Sequence, residues 1–207
     1  MLKIGVLVSG GGTNLQALLD KIESGYVRDC EIITVVSSRA DAYALKRAKK
    51  YGIETKCISK KEFKDTDDYD NALLEHFKKF NVELVVLAGF LSILGEKFVE
   101  AYKNKIINVH PALIPSFCGK GFYGLKPHIK ALEYGVKVTG ATVHFVNNEP
   151  DAGPIILQRA VDIKQNDTPE SLQERVMKEA EWELLPEAVK LFSEGRLEIH
   201  GRKVKII

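Results

Sequence analysis

At 207 residues, 45% of them hydrophobic and 28% charged, the chain has the size and apolar share of one generous globular domain. A net charge of +2 with both signs interspersed argues against nucleic-acid binding, and no apolar run is long enough to span a bilayer. The three cysteines, Cys30, Cys57 and Cys118, are widely spaced and form no CxxC, so they indicate neither a disulfide framework nor a zinc ribbon, and a reducing cytoplasm is the expected setting.

Met1 leads directly into an apolar strand at residues 3–8, with no leader expected. Ser9-Gly10-Gly11-Gly12-Thr13-Asn14 follows, and then Leu15, Leu18, Leu19 and Ile22 recur at helical spacing. Strand, glycine loop and helix open an α/β fold. The grammar repeats with a strand at 31–36, a helix at 42–51 closed by Gly52, a strand at 54–58 and a helix at 69–80 carrying Leu73, Leu74, Phe77 and Phe80. Residues 84–88 are apolar on both faces, as a central parallel strand requires, and a short helix is predicted at 97–102.

Ile106-Ile107-Asn108-Val109-His110 is a further strand, stopped by Pro111. The stretch 111–127, with its prolines and glycines, is too irregular for helix or strand and is longer than an ordinary connection, which marks it as functional or mobile. A helix at 126–134 ends at Gly135; strands at 137–146 and 153–161 form an antiparallel extension of the sheet. Thr168 before Pro169 is a helix start, and the helix meets Pro186, where it continues or restarts. Residues 197–199 and 204–206 read as a C-terminal hairpin. The expectation is a single-domain α/β fold over 1–207: a mostly parallel, twisted, Rossmann-like sheet with helices on both faces and late antiparallel strands extending it.

Ligands of such sheets sit beyond the carboxyl ends of the strands. Asn108 and His110 lie on one pleat face at such an end, a carboxamide that cannot titrate beside a base that can, which suits chemistry at a carbonyl. The glycine loop fits an anion, because glycine lets the backbone approach and the helix from Thr13 offers its positive end. It is no Walker A motif. As a dinucleotide fingerprint it is incomplete, with Leu15 in the third glycine's place and Ser37-Ser38-Arg39, without an acid, ending the second strand. A monophosphate fits better. Asp151, in the turn between the late strands, can reach His110 and favour its imidazolium if that turn folds over the sheet end. His76, His128, His144 and His200 show no ligand spacing, so no metal is expected. Leu91, Ile93, Leu94, Phe98 and Val99 form an apolar group that suits core packing or the wall of a flat heteroaromatic ring.

The loop Ser9 to Asn14 with Leu15-Gln16-Ala17-Leu18, then Leu87-Ala88-Gly89-Phe90, Asn108-Val109-His110-Pro111, Thr139-Gly140-Ala141-Thr142-Val143-His144-Phe145-Val146 and Asp151-Ala152-Gly153-Pro154 together resemble the phosphoribosylglycinamide formyltransferase family of purine synthesis. The likeness runs over nearly the whole chain. It implies formyl transfer from 10-formyltetrahydrofolate to the amine of glycinamide ribonucleotide, without a metal. Carried over, it implies that Asn108, His110 and Asp151 are catalytic and that Gly12, Thr13 and Asn14 hold the phosphate, with Glu181 at the glycinamide end. Leu91, Ser92, Ile93 and Leu94, with Asn108 and the turn Asn147, Asn148, Glu149, Pro150 and Asp151, would line the folate pocket. It divides the chain into a phosphate-binding half (1–105), a catalytic and folate-binding half (106–165) and a C-terminal helix and hairpin (166–207). Thr66 stands where many relatives carry arginine, with Lys64 as a nearby charge, and the segment 117–125 is longer than in many members.

The expected partners are the two small molecules, with no nucleic acid or membrane; monomer and homodimer both stay open. Formyl transfer to another amine, or hydrolysis of the formyl folate, is the alternative within the family. Outside it stand a non-enzymatic nucleotide-binding module, against which the joint presence of Asn108, His110 and Asp151 speaks, and a dinucleotide-dependent reductase, which the incomplete fingerprint disfavours.

Overall fold

The computed structural model describes residues 1–207. Its chain groups into two compact units, Met1–Ile107 and Asn108–Ile207. The first unit runs β1 (Leu2–Val8), α1 (Thr13–Glu23), β2 (Cys30–Ser37), α2 (Tyr43–Lys50), β3 (Glu54–Cys57), α3 (Thr66–Lys79), β4 (Leu84–Leu87) and α4 (Glu96–Ala101). It ends within β5 (Ile106–His110), whose last residues open the second unit. β1 pairs in parallel with β2 and β4, and β2 with β3, giving the order β3-β2-β1-β4. Ile4, Val6, Leu7 and Val8 of β1 and every residue of β4 are buried, the pattern of strands covered on both faces.

Helix α3 starts earlier than the apolar spacing from Tyr69 indicates. Its first turn is acidic and carries no apolar period; it is secured instead by Asp65, whose side chain accepts the Asp68 N–H at 2.9 Å, with Asp67 and Asp68 at the positive end of the helix. From the same helix the fully buried Asp70 accepts the N–H groups of Gly95 (3.0 Å) and Phe98 (3.1 Å), so α3 caps α4. Phe77, Phe98 and Tyr102 pack ring on ring between the two helices.

The second unit continues with α5 (Lys126–Tyr134), β6 (Val138–Phe145), β7 (Ile155–Asp162), α6 (Pro169–Val176), α7 (Trp182–Ser193), β8 (Leu197–His200) and β9 (Lys203–Ile206). β6 and β7 are antiparallel, as are β8 and β9, while β7 meets β9 in parallel at Ile155 and Lys203. The strand order is β5-β6-β7-β9-β8. Between β5 and α5 the chain forms no helix or strand, as its composition predicts. Helix α6 has a reciprocal cap: Thr168 accepts the Ser171 N–H, and the Ser171 hydroxyl accepts the Thr168 N–H. Of the two alternatives at Pro186 the helix takes continuation: Pro186 lies inside α7, and the interruption comes earlier, where a π-helical turn, Met177–Glu181, separates α6 from α7. Leu184, Leu185, Ala188, Val189 and Leu191 of α7 are buried, with α7 packed on β6 and β7. No helix is long and apolar enough to cross a membrane.

Candidate active site

The glycine loop sits between β1 and α1, as expected. Gly12 is the N-cap of α1 with φ of 72°, in the left-handed region, and a Cβ there would stand 2.6 Å from the Cβ of Ala44. Two loop carbonyls are taken up by α2: Gly10 accepts the Ala44 N–H at 3.1 Å, and Gly11 accepts Arg47 Nε at 2.9 Å. Arg47 also donates to Gln16 Oε1 at 3.1 Å. With those carbonyls engaged by α2, the loop leads into the positive end of α1, where an anion is favoured, and Arg47, bonded to the loop, is a cation that the sequence did not single out. Thr13 and the buried Asn14 form the first turn of α1.

In the same unit, Leu91 donates its N–H to Ser9 Oγ at 2.9 Å, and Ser9 shares a hydrogen bond of 2.7 Å with Ser38. The loop after β4 is thereby tied to the glycine loop. Leu91 and Ile93 are 51% and 60% exposed, so the apolar group divides: Phe98 and Val99 serve the core, while Leu91 and Ile93 are open to a ligand. A cavity of about 840 Å3 borders this segment, lined among others by Ser9, Arg39, Lys60, Leu91 and Ser92. Lys60 Nζ donates to the Ile93 carbonyl at 2.9 Å. Lys64 pairs with Asp68 at 3.4 Å on the exposed start of α3, and Thr66 is the first residue of that helix.

In the second unit, Asn108, His110 and Asp151 come together. His110 is 4% exposed, with Nδ1 3.5 Å from Asp151 Oδ2, while its Nε2 donates to the Phe117 carbonyl at 2.9 Å. Asp151 Oδ2 accepts the Gly119 N–H at 2.8 Å, so the irregular segment after β5 touches both groups. The turn that carries Asp151 is held close to β6 because Gly153 has no side chain: a Cβ there would lie 1.7 Å from the carbonyl oxygen of Phe145. This is a physical reason for glycine two residues after the aspartate. A second anchor is Thr142, whose hydroxyl donates to Ala112 O at 2.7 Å and accepts from Ile114 N at 3.1 Å and Gln158 Nε2 at 3.0 Å. It fixes the chain just beyond His110.

His144 also belongs to this group. Its Nε2 lies 3.1 Å from Asn108 Nδ2 and 3.7 Å from Asp151 Oδ1, and its Nδ1 donates to the Phe145 carbonyl at 2.8 Å. The sequence reading treats His144 as a strand residue between apolar neighbours. The signal was its alternation: Ala141, Val143 and Phe145 take one face of β6, leaving Thr142 and His144 as polar residues on the other, and all five are buried. The β6–β7 register shifts between Val143 and His144, and such a bulge re-aims the side chain beside it.

Burial pushes the His110 imidazole below its ordinary pKa; the charge of Asp151 and the bond to Phe117 push it up, and His144 pushes it down. Asp151 thus favours the imidazolium as expected, but burial outweighs it. Burial works against the ionised form of Asp151, yet His144 and His110 in their protonated forms, with the Gly119 N–H, hold it below the usual carboxylate value. His128, fully buried on α5, falls to about 4 through burial and the proximity of His110. Glu181 ends the π-helical turn and is 5% exposed, whereas Asn147, Asn148, Glu149 and Pro150 are exposed.

Residues 2–189 match the family model described as formyl transferase. The phosphoribosylglycinamide formyltransferase of Haemophilus influenzae is 40% identical over 199 residues, covering 96% of this chain and 91% of that protein. The trifunctional purine biosynthetic protein adenosine-3 of Gallus gallus is 44% identical over 197 residues, but this chain, covered to 95%, spans only 19% of its length. Among solved structures, glycinamide ribonucleotide transformylase 1 from Symbiobacterium toebii superposes with a TM-score of 0.94 at 44% identity, covering 100% of this chain and 94% of that one. A parallel sheet led by a glycine loop, an Asn-His-Asp cluster around a buried imidazole and a likeness over nearly the whole chain agree: the chain belongs to the formyl transferase family.

Proposed function

We propose that the chain acts as one formyltransferase domain over 1–207. It moves a formyl group from 10-formyltetrahydrofolate to the glycinamide amine of 5'-phosphoribosylglycinamide, giving the formylglycinamide ribonucleotide and tetrahydrofolate for purine synthesis. The observation that carries this reading is the cluster of Asn108, His110 and Asp151, in which a buried imidazole stands beside a half-buried carboxamide and carboxylate, and two of whose members sit on one strand end. The family and the near full-length match to a formyltransferase of that specificity support it.

Attack of a primary amine on a formyl carbon forms one C–N bond, breaks another, and places negative charge on the formyl oxygen in between. Asn108, already donating from Nδ2 to His144, has a second N–H on that nitrogen for the oxyanion. His110 carries a proton on Nε2, now donated to Phe117, and a lone pair on Nδ1 that faces Asp151. The attacking nitrogen loses the proton that the leaving nitrogen gains, so a group able to give and take one proton suffices, and no covalent enzyme intermediate is needed. Gly12, Thr13 and Asn14 hold the phosphate at the head of α1, and Glu181 meets the glycinamide end. The folate lies against Leu91, Ser92, Ile93 and Leu94 and against the turn Asn147, Asn148, Glu149, Pro150 and Asp151; the exposed Leu91 and Ile93 suit a flat ring. Holding two reactants together supplies much of the acceleration. The expected setting is the cytoplasm, as monomer or homodimer, without a nucleic-acid partner.

The test is a spectrophotometric assay of formyl folate consumption with and without glycinamide ribonucleotide. Consumption that depends on the ribonucleotide is expected; consumption that ignores it would convert the reading to hydrolysis.

A further inference from the structure

His144 has no assigned part in the transfer set out above, yet it is 1% exposed and bonded to Asn108. The carbonyl of Phe145 can only accept, so the proton of the His144 ring that meets it at 2.8 Å is on Nδ1. A neutral ring then has its lone pair on Nε2. Facing that lone pair at 3.1 Å, the Asn108 side chain presents its nitrogen and not its oxygen. The oxygen and nitrogen of a carboxamide are nearly equal in shape, and only the hydrogen-bond partners distinguish the two orientations. Turned the other way, Asn108 would offer an oxygen where a donor is required. Asp151 Oδ1 is 3.7 Å from Nε2, beyond hydrogen-bond reach, so Asn108 is the partner of that lone pair. The register shift beside His144 aims the ring.

We propose that His144 is a positioning residue: with its proton fixed on Nδ1 by the Phe145 carbonyl, its Nε2 sets the orientation of the Asn108 carboxamide and hence the direction of the oxyanion donor. The inference rests on the formyl-transfer reading of Asn108 and assigns to a third residue the control of its orientation.

Two variants divide the ring's two bonds. His144→Asn places an amide nitrogen near the position of Nδ1, keeping the bond to Phe145 and offering nothing to Asn108. His144→Gln reaches with an oxygen toward the position of Nε2 and restores an acceptor. The expected result is a fall in kcat of about 10- to 100-fold for His144→Asn, with KM for both substrates within about threefold, and recovery of most of that loss in His144→Gln. Nitrogen-15 spectra of the parent, with the His144 signals assigned by their disappearance in the glutamine variant, should show a protonated Nδ1 and an unprotonated Nε2. Equal losses of kcat in both variants, in proportion to a fall in Tm, would reduce His144 to a packing residue, and a proton on Nε2 in the parent would overturn the proposal. If the parent failed to consume formyl folate with glycinamide ribonucleotide, the formyl-transfer reading would fall instead, while the nitrogen spectrum would still decide the tautomer.

Discussion

The Nδ1 atom of His110 lies 3.5 Å from Asp151 Oδ2, while the opposite ring nitrogen donates to the carbonyl of Phe117. With the ring proton on Nε2, a lone pair faces a carboxylate, so a proton arriving between them is welcomed by both. Burial keeps the resting imidazole on the neutral side, with its pKa below the ordinary value of 6.5. At rest the pair is therefore an imidazole lone pair facing a carboxylate, and on the proposed function it would serve as a proton relay.

Replacing Asp151 by asparagine removes the charge that raises the His110 pKa, leaving burial to depress it further. The acid limb of kcat, where it reports His110, should therefore move to lower pH. Formyl transfer should fall by about two to four orders of magnitude, the usual worth of a positioned acid or base. A pH profile of kcat at saturating ligands checks both statements, and activity within a few-fold of the parent would remove Asp151 from the relay.

The same turn gives a second prediction. A methyl group at position 153 would lie 1.7 Å from the Phe145 carbonyl oxygen, so Gly153→Ala must push the turn away from β6 and carry Asp151 with it. The strain should cost about 1–3 kcal/mol of stability, and activity should drop by tenfold or more. A crystal structure of the variant should show a longer His110–Asp151 separation; an unchanged separation with unchanged activity would mean that the turn does not set it.

Much of this arrangement is legible along the chain, because it follows from periodicity. Asn108 and His110 share a pleat face by spacing alone, Thr168 and Pro169 mark their helix by type and order, and the apolar run of β4 implies its burial. What is hidden depends on contacts between distant residues or on backbone geometry that side chains do not announce. His144 acquires its role only across a shifted register. The His110 partner on Phe117 is a carbonyl, held by a residue with φ of 49°, a conformation that nothing about phenylalanine advertises. The net direction of the His110 shift is a balance of burial against charge, and only the folded packing determines which is larger.

In the glycine loop, glycine at position 12 has a steric and conformational reason, whereas at position 10 neither the backbone nor a neighbour requires it. Gly12→Ala meets both a left-handed φ of 72° and Ala44 at 2.6 Å, and should destabilise the protein by about 2 kcal/mol or more while weakening the affinity for a phosphate-bearing substrate analogue. At Gly10 a Cβ would meet nothing within 4 Å, so Gly10→Ala should leave Tm nearly unchanged. Thermal melts with calorimetric titration of the analogue separate the two. Equal melting temperatures in both variants would show that α1 and α2 can move apart to accommodate the methyl group.

His128 provides a test of stability against pH that is independent of catalysis. It is fully buried, both ring nitrogens lack a hydrogen-bond partner, and its pKa is pushed down to about 4 from an ordinary 6.5. Below pH 6.5 the unfolded chain takes up a proton that the folded chain refuses, so stability falls as the pH drops toward 4 and falls no further from this source below it. The full window is worth on the order of 3 kcal/mol, from about 1.4 kcal/mol for each unit of pKa difference. His110 acts in the same direction, so the His128 share has to be read as a difference between proteins. His128→Leu gives up no hydrogen bond and keeps the site apolar. Its stability should match the parent within about 1 kcal/mol at pH 7.5 and exceed it by about 2–3 kcal/mol near pH 4.5. Urea melts of both proteins across that range measure the difference, and parallel stability curves would mean that the histidine gains a proton, and a partner for it, without unfolding.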